Sequence, residues 1–269
     1  AERGVTLLEA DTDGVYFAVP RDFTEADERR VVSEVAALLP PRVKLEFDGR
    51  YAAMLSHEPK NYALLPYGGP VVLRGVAFRS SRAEPFGEAF LRQALTCLLR
   101  RDLQGVKGAY TGAIAALRGR RVTTFDVSAR VRLTKTPTEY MATRRERREL
   151  PYEAVLRSGR TTWTVGERVR IYRTAGGKAG LLSETDADDD ASTDRDEAAS
   201  DPRDYDVDYY TRILRETFAA RLVRALTPEA FSSLFADPDQ PSLFDVPAST
   251  FEPILTVVDE PDTAFAKPL

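Results

Sequence analysis

The segment VTLLEADTDGVYFAV, from Val5 to Val19, constrains this chain more than any other. Apolar residues lead into an acidic turn (Val5, Leu7, Leu8) and out of it (Val15, Phe17, Val19), and the turn is Asp11-Thr12-Asp13-Gly14. A Gly after two aspartates suits a tight hairpin, because Gly accepts the positive φ that such turns need. The hairpin holds two carboxylates at the tip of a two-stranded support. Hard divalent cations such as Mg²⁺ want oxygen ligands from one or two carboxylates, with other positions left to water and substrate phosphates. The same turn is also an ordinary solvated hairpin turn, and the motif alone does not separate the two. An EF-hand is excluded. Counting from Glu9 puts Pro20 where a bidentate Glu is required, and the preceding segment is strand-like.

Charge is distributed unevenly around this hairpin. The net charge is −4 over 269 residues. From Glu184 to Asp208 there are 12 acidic residues against 2 basic, a net of −10, so the remainder is +6. Between Arg79 and Arg173 there are 21 Lys and Arg against 9 Asp and Glu, a net of +12. A basic span of that size is either the footprint of a polyanion or an Arg-rich solvated surface. The 43% apolar fraction is enough for a packed core of one large or two modest domains. A single cysteine, Cys97, excludes an internal disulfide framework and fits a reducing, cytoplasmic compartment. It lies in an apolar helical pattern and reads as a small core residue. No apolar run is long enough to span a membrane and no signal peptide is evident. The first motif lies within ten residues of Ala1, which reads as a piece of a longer protein.

Periodicity organises the chain into an α+β fold. Asp22 to Leu39 reads as a helix, with Thr24 as N-cap, Asp27 three positions on, and a stripe of Val31, Val32, Val35, Leu38 and Leu39. Strand-like runs follow at Arg42–Phe47, Tyr51–Ser56, Tyr62–Pro66 and Val71–Leu73, with Asp48-Gly49 as a hairpin signal between the first two. Pro85 to Arg101 and Val106 to Leu117 read as helices. Asp126 to Leu133 is helix or strand, Tyr152 to Arg157 helical, and Thr161 to Thr174 strand-like around Gly166, with Trp163 as core. Asp208 to Leu226 is an amphipathic helix. The expected division is 1–76, a small antiparallel subdomain with one packed helix, then 77–237, mainly helical with a few strands. A mobile acidic segment, 184–206, interrupts the second part, and 238–269 is a Pro-rich tail.

The order of these motifs resembles the C-terminal part of family B DNA polymerases, from about Val5 to Phe235. Asp11-Thr12-Asp13 is similar to the family's DTDS hairpin of the palm, with Gly14 in place of Ser. Lys60-Asn61-Tyr62-Ala63 resembles its KKRYA-type segment, although Pro59 and Asn61 replace basic residues. Leu73-Arg74-Gly75 followed by Arg79 resembles the KG-x-x-x-R junction from palm into thumb. Arg132-Leu133-Thr134-Lys135 with Tyr140, and Tyr209-Tyr210, are similar to thumb motifs. On this resemblance residues 1–76 are the second half of a palm and 77–237 a thumb. The family's other metal-binding aspartate, its nucleotide-binding helix and its exonuclease carboxylates precede the hairpin and are absent from this sequence.

The resemblance implies template-directed nucleotidyl transfer in DNA replication or repair, with two Mg²⁺ ions about 3.5–4 Å apart. Asp13 is then the direct metal ligand, and Asp11 acts from behind it or through water. Glu46, read as lying on a neighbouring strand, either faces the same cluster or is solvated. Lys60 and Tyr62 would contact the primer–template duplex, and Tyr62 is alternatively a half-buried strand aromatic. Arg79, Arg82, Arg130, Arg132, Thr134 and Lys135 would clamp the duplex backbone, whereas Arg144, Arg145, Arg147 and Arg148 are equally a solvated helical face. The lone His57 reads as structural or exposed. The implied partners are primer–template DNA, deoxynucleoside triphosphates and the N-terminal half of the polymerase. No membrane is involved, and the chain alone is expected to be inactive. Two other readings stand beside this one. The first is a non-catalytic DNA-binding accessory chain derived from a polymerase. The second is a metal-dependent glycosyltransferase fragment, which would leave Lys60-Asn61-Tyr62 and the basic span unexplained.

Overall fold

The computed structural model describes residues 3–11, 14–78, 80, 82–182, 201–239 and 246–254. Strands β1 (Thr6–Ala10) and β2 (Val15–Ala18) pair antiparallel, as the alternation requires, and the Asp11 N–H donates to the Gly14 carbonyl at 2.8 Å to close the turn. The register shifts between Leu7 and Glu9. Thr6 and Glu9 are therefore the buried members of β1, while Leu7 is 63% exposed. Helix α1 (Glu25–Ala36) starts on the expected capping box, in which Thr24 and Asp27 exchange side-chain and backbone hydrogen bonds. It ends sooner than its stripe suggests, and of its apolar residues only Val31 is fully buried.

The strand expected at Arg42–Phe47 does not form, and residues 43–50 have no regular structure. An alternating run becomes a strand only when a neighbour accepts its ladder, and no described strand pairs with this run. β3 (Tyr51–Glu58) turns at Pro59-Lys60 into β4 (Asn61–Pro66), and β4 pairs with β5 (Val72–Arg74) in the order β3-β4-β5. Lys60 closes this turn at φ +66°, while the hairpin expected at Asp48-Gly49 is absent because no strand precedes it. Gly75 follows β5 at φ +83°, and a Cβ there would lie 2.1 Å from the Lys60 carbonyl oxygen.

α2 (Pro85–Leu99) and α3 (Leu103–Arg118) pack face to face and supply the centre of the largest core. Leu91, Ala94, Leu95, Leu98, Val106 and Leu117 are wholly buried there. This core continues without a break onto Leu55, Ala63, Leu65 and Leu73 of the sheet. A second sheet, ordered β6-β7-β8, is built from β6 (Ala129–Arg132), β7 (Arg168–Arg173) and β8 (Ala179–Leu182). The strand alternative is thus the correct one for the region before Leu133. Between β6 and β7 lie α4 (Pro137–Thr143) and α5 (Leu150–Arg157), which enclose a smaller core of Leu133, Tyr140, Tyr152, Val155, Trp163 and Val169. Trp163 is buried as expected, and its indole N–H donates to the Lys135 carbonyl at 2.8 Å.

The expected acidic segment 184–206 needs a correction at its end. Residues 183–200 lie outside the described residues, but 201–206 are tightly held. Asp201 accepts hydrogen bonds from the Thr124 hydroxyl and N–H and pairs with Arg203, and Tyr205 bridges to Thr174. The last long helix is also uneven. α6 (Val207–Ile213) passes through a π turn (Leu214–Phe218) into a 3₁₀ run (Ala219–Ala225) before α7 (Pro228–Leu234). The region read as a tail is anchored in part, because Ala248 is buried and the Ile254 N–H donates to the Ala225 carbonyl at 2.8 Å. Among the described residues no helix is long and apolar enough to cross a membrane.

Candidate catalytic and nucleic-acid site

The β1–β2 hairpin and the β3–β4 turn meet at their tips. The Lys60 ammonium lies 3.0 Å from the Asp11 carboxylate, which is largely covered while Lys60 is two-thirds exposed. Behind this pair sits Glu9, a buried carboxylate whose two oxygens are both engaged. One accepts from the Ser56 hydroxyl at 2.7 Å and the other from the Lys60 N–H at 2.8 Å. Glu9 therefore ties the hairpin to the turn and satisfies a backbone donor at a residue forced to positive φ. On the other side the Asn61 amide oxygen accepts from the Ala77 N–H at 2.8 Å, which joins the same turn to the chain leaving the sheet.

Tyr62 does not face outward. It is buried on β4, its hydroxyl lies 3.1 Å from that of Tyr16, and the two rings are 5.0 Å apart. Burial, reinforced by the bond to Tyr62, pushes the Tyr16 phenol well above its usual range. His57 is half-buried against Phe78, and desolvation lowers its pKa. Asp13 and Arg79, both expected site residues, lie outside the described residues. Glu46 stands exposed on the irregular segment, so its expected place on a neighbouring strand is corrected.

The remaining expected contacts gather around the second sheet. Arg130 and Arg132 lie on β6, and the Arg130 N–H donates to the Arg82 carbonyl at 3.3 Å, so these three come together. Thr134 and Lys135 follow β6, and both their N–H groups donate to the Tyr152 hydroxyl at 2.9 Å. The Lys135 ammonium is paired with Glu149 at 2.6 Å. Arg144 is no solvated bystander. It makes two bonds to Glu153, at 2.6 and 3.0 Å, and with the Tyr140 hydroxyl holds that carboxyl down at about 2.

The oxygen donors at the hairpin are of the type a hard cation takes. Among the described residues, however, no three His, Cys, Asp or Glu side chains converge on a metal position, and Asp11 already carries Lys60. The described residues do not fit a two-metal centre by themselves. Sequence reading passed over Glu9. Its signal was a lone acid inside an apolar strand run, on the covered side once the bulge is counted.

This arrangement defines a class before it defines any relative: an α+β chain folded like a segment of a DNA polymerase. It is similar to the family B DNA polymerase from the hyperthermophilic archaeon Pyrobaculum calidifontis, with a TM-score of 0.55 and 15% identity over 89% of this chain and 27% of that one. It is 27% identical over 146 residues to a DNA polymerase of Methanocaldococcus jannaschii, covering 52% of this chain and 9% of that protein. It is 36% identical over 78 residues to a DNA polymerase of Pyrococcus horikoshii, covering 28% of this chain and 6% of that protein. No protein-family model matches. The chain is a distant relative of part of these DNA polymerases and spans less than a tenth of the length of the curated ones.

Proposed function

We propose that this chain supplies the second half of the palm (1–76) and the thumb (77–237) of a family B DNA polymerase, presenting Asp11 and Asp13 to the catalytic centre and gripping the duplex. The observation that carries the reading is the meeting of two motif segments distant in sequence, with the Lys60 ammonium 3.0 Å from Asp11. That geometry sets a cation beside the acidic hairpin, where a primer terminus and its phosphates would lie. Lys60 is exposed enough to exchange the carboxylate for a phosphate. Asp13 and Asp11, with carboxylates supplied from elsewhere, would hold Mg²⁺, whose chemistry there would be to offset negative charge on a phosphate. This chain's own part is to fix the hairpin through Glu9 and to hold the duplex through its basic residues.

A groove of about 1540 Å³ supports the expected partner. It runs between the β1–β2 hairpin, α1 and β3, and Leu7, Val15, Phe17, Val35 and Met54 line it. Leu7 and Val15 are 63% and 48% exposed within it, which suits packing by the rest of a palm.

Primer extension tests the reading. The chain alone is expected to bind duplex DNA and extend nothing, and activity returns on adding the missing polymerase portion. In the reconstituted enzyme Asp13→Asn abolishes extension with duplex binding nearly intact, while Lys60→Ala mainly weakens primer–template binding. Full activity of Asp13→Asn would overturn the catalytic assignment, and Mg²⁺-dependent extension by the chain alone would overturn the half-site argument. The engagement of Asp11 by Lys60 favours one competing reading, a non-catalytic DNA-binding chain. Reconstitution that never yields extension while duplex binding persists would select it.

A further inference from the structure

The chain's one histidine sits at an irregular point of the first sheet. Along β3 and β4, Ser56 pairs with Tyr62 but Glu58 pairs with Asn61, so His57 is the extra residue of a bulge. A bulge bends its strand and re-aims a side chain. Here the imidazole packs 5.7 Å from the Phe78 ring, where the chain leaves the sheet for the helical region. Its Nδ1 is buried and has no hydrogen-bond partner among the described residues, and its Nε2 stands 3.9 Å from the exposed Glu58 carboxylate. β3 also packs against the 3₁₀ run Ala219–Ala225, and the charges of Arg224 and Arg221 on that run act on the ring. Glu88 of α2 and Glu84 just before it act in turn on Arg221.

We propose that His57 is a proton-sensitive latch between the β3 bulge and the 3₁₀ run, seated when the ring is neutral and loosened when it becomes an imidazolium. A cation formed there is a third beside Arg224 and Arg221. Burial acts most strongly against the charged ring, Glu58 opposes this, and Arg224 and Arg221 reinforce it, so the pKa lies below the ordinary imidazole value. The unfolded ring, at about 6.5, takes its proton more readily than the folded one. The latch therefore contributes fully above that value and is lost as pH falls through the folded one. The element that yields is the 3₁₀ run, whose hydrogen bonds are poorer than those of an α-helix. The π turn before it is pinned, because Phe218 lies against Gly87 of α2, where a Cβ would come within 2.0 Å of the ring. On the sheet side the bulge adjoins Ser56, which with the Lys60 N–H holds Glu9, so a loosened joint reaches the Lys60 turn. The device depends on the fold alone and stands whether or not the chain serves a polymerase.

The test uses the full chain. As the one imidazole present, His57 gives its own ring-proton signal in NMR. Its titration midpoint is expected below about 6.5. Hydrogen exchange from about pH 7.5 to about 5.5, corrected for the intrinsic rate, is expected to show protection falling at 55–60 and 219–225 while α3 holds. A single proton is taken up, so the fall is at most about tenfold per pH unit. In His57→Gln the fall at both places largely disappears. Glu84, whose carboxyl burial pushes up, titrates in both chains and drops out of the comparison. Arg224→Gln changes an exposed side chain and leaves the fold in place; it raises the ring's midpoint and shrinks the fall. An equal fall in His57→Gln, a midpoint at or above about 6.5, or a midpoint unmoved by Arg224→Gln overturns the proposal. So does a loss of protection that includes α3, which is general acid unfolding and no latch.

Discussion

The hairpin region and the α2–α3 region are held together by different physics. In α2 and α3 the chain buries one apolar residue after another, and Leu91, Ala94, Leu95, Leu98, Val106 and Leu117 are wholly covered. In the β1–β2 hairpin and α1 the fully buried residues are few, and two of them, Glu9 and Glu28, are carboxylates. Glu9 bonds Ser56 and Lys60, and Glu28 pairs with Arg50 at 2.7 Å. Apolar burial is non-directional and tolerant of small shifts, whereas hydrogen-bonded carboxylates fix position at modest net stabilisation. The comparison teaches that a scaffold can be made robust in one part and geometrically exact in another, with the acidic hairpin placed in the second.

Three substitutions would break or sharpen this contrast. The largest effect is expected at Leu98→Ala on α2, where a cavity in a close-packed core costs about 2–5 kcal/mol in urea denaturation of the chain. The middle effect belongs to Glu9→Ala. It leaves the Lys60 N–H and the Ser56 hydroxyl without their acceptor and costs about 1–3 kcal/mol. Hydrogen exchange should speed up at the Lys60 amide and leave the amides of α2 and α3 unchanged. Uniform loss of protection in both regions would mean that they are one cooperative unit and that the contrast is false. The smallest effect is expected at Leu38→Ser after α1, 71% exposed, where stability should move by no more than about 0.5 kcal/mol. A larger loss would show that the hairpin side relies on apolar packing after all.

Much of the fold was legible in the sequence wherever the signal was local. The hairpin turn, the Thr24–Asp27 capping box and the stripe of α2 each depend on residues within a few positions of one another. What failed depended on partners. Arg42–Phe47 alternates like a strand but finds no ladder, so the turn signal of Asp48-Gly49 has no strand before it to join into a hairpin. The anchoring of Ala248 against the core cannot be read from a Pro-rich composition. The site divides in the same way. Lys60 was picked out by its motif and does reach the hairpin, but Tyr62 is committed to Tyr16 and Lys135 to Glu149, and neither pairing leaves a trace in sequence. That Arg168 and Arg170 lie across from Arg132 and Arg130 was invisible in the sequence, because only strand register sets that pairing.

Gly75 carries a consequence for which substitutions this chain can accept over time. Its positive φ and its closeness to the Lys60 carbonyl act together, so every other amino acid meets a steric clash and a strained backbone at once. Next to it Val76 is 79% exposed and bears no such restriction. A saturation library across this junction would therefore fall off a cliff at one codon and run nearly flat at the next. The route from the acidic hairpin into the helical region passes through a position whose alphabet has a single letter.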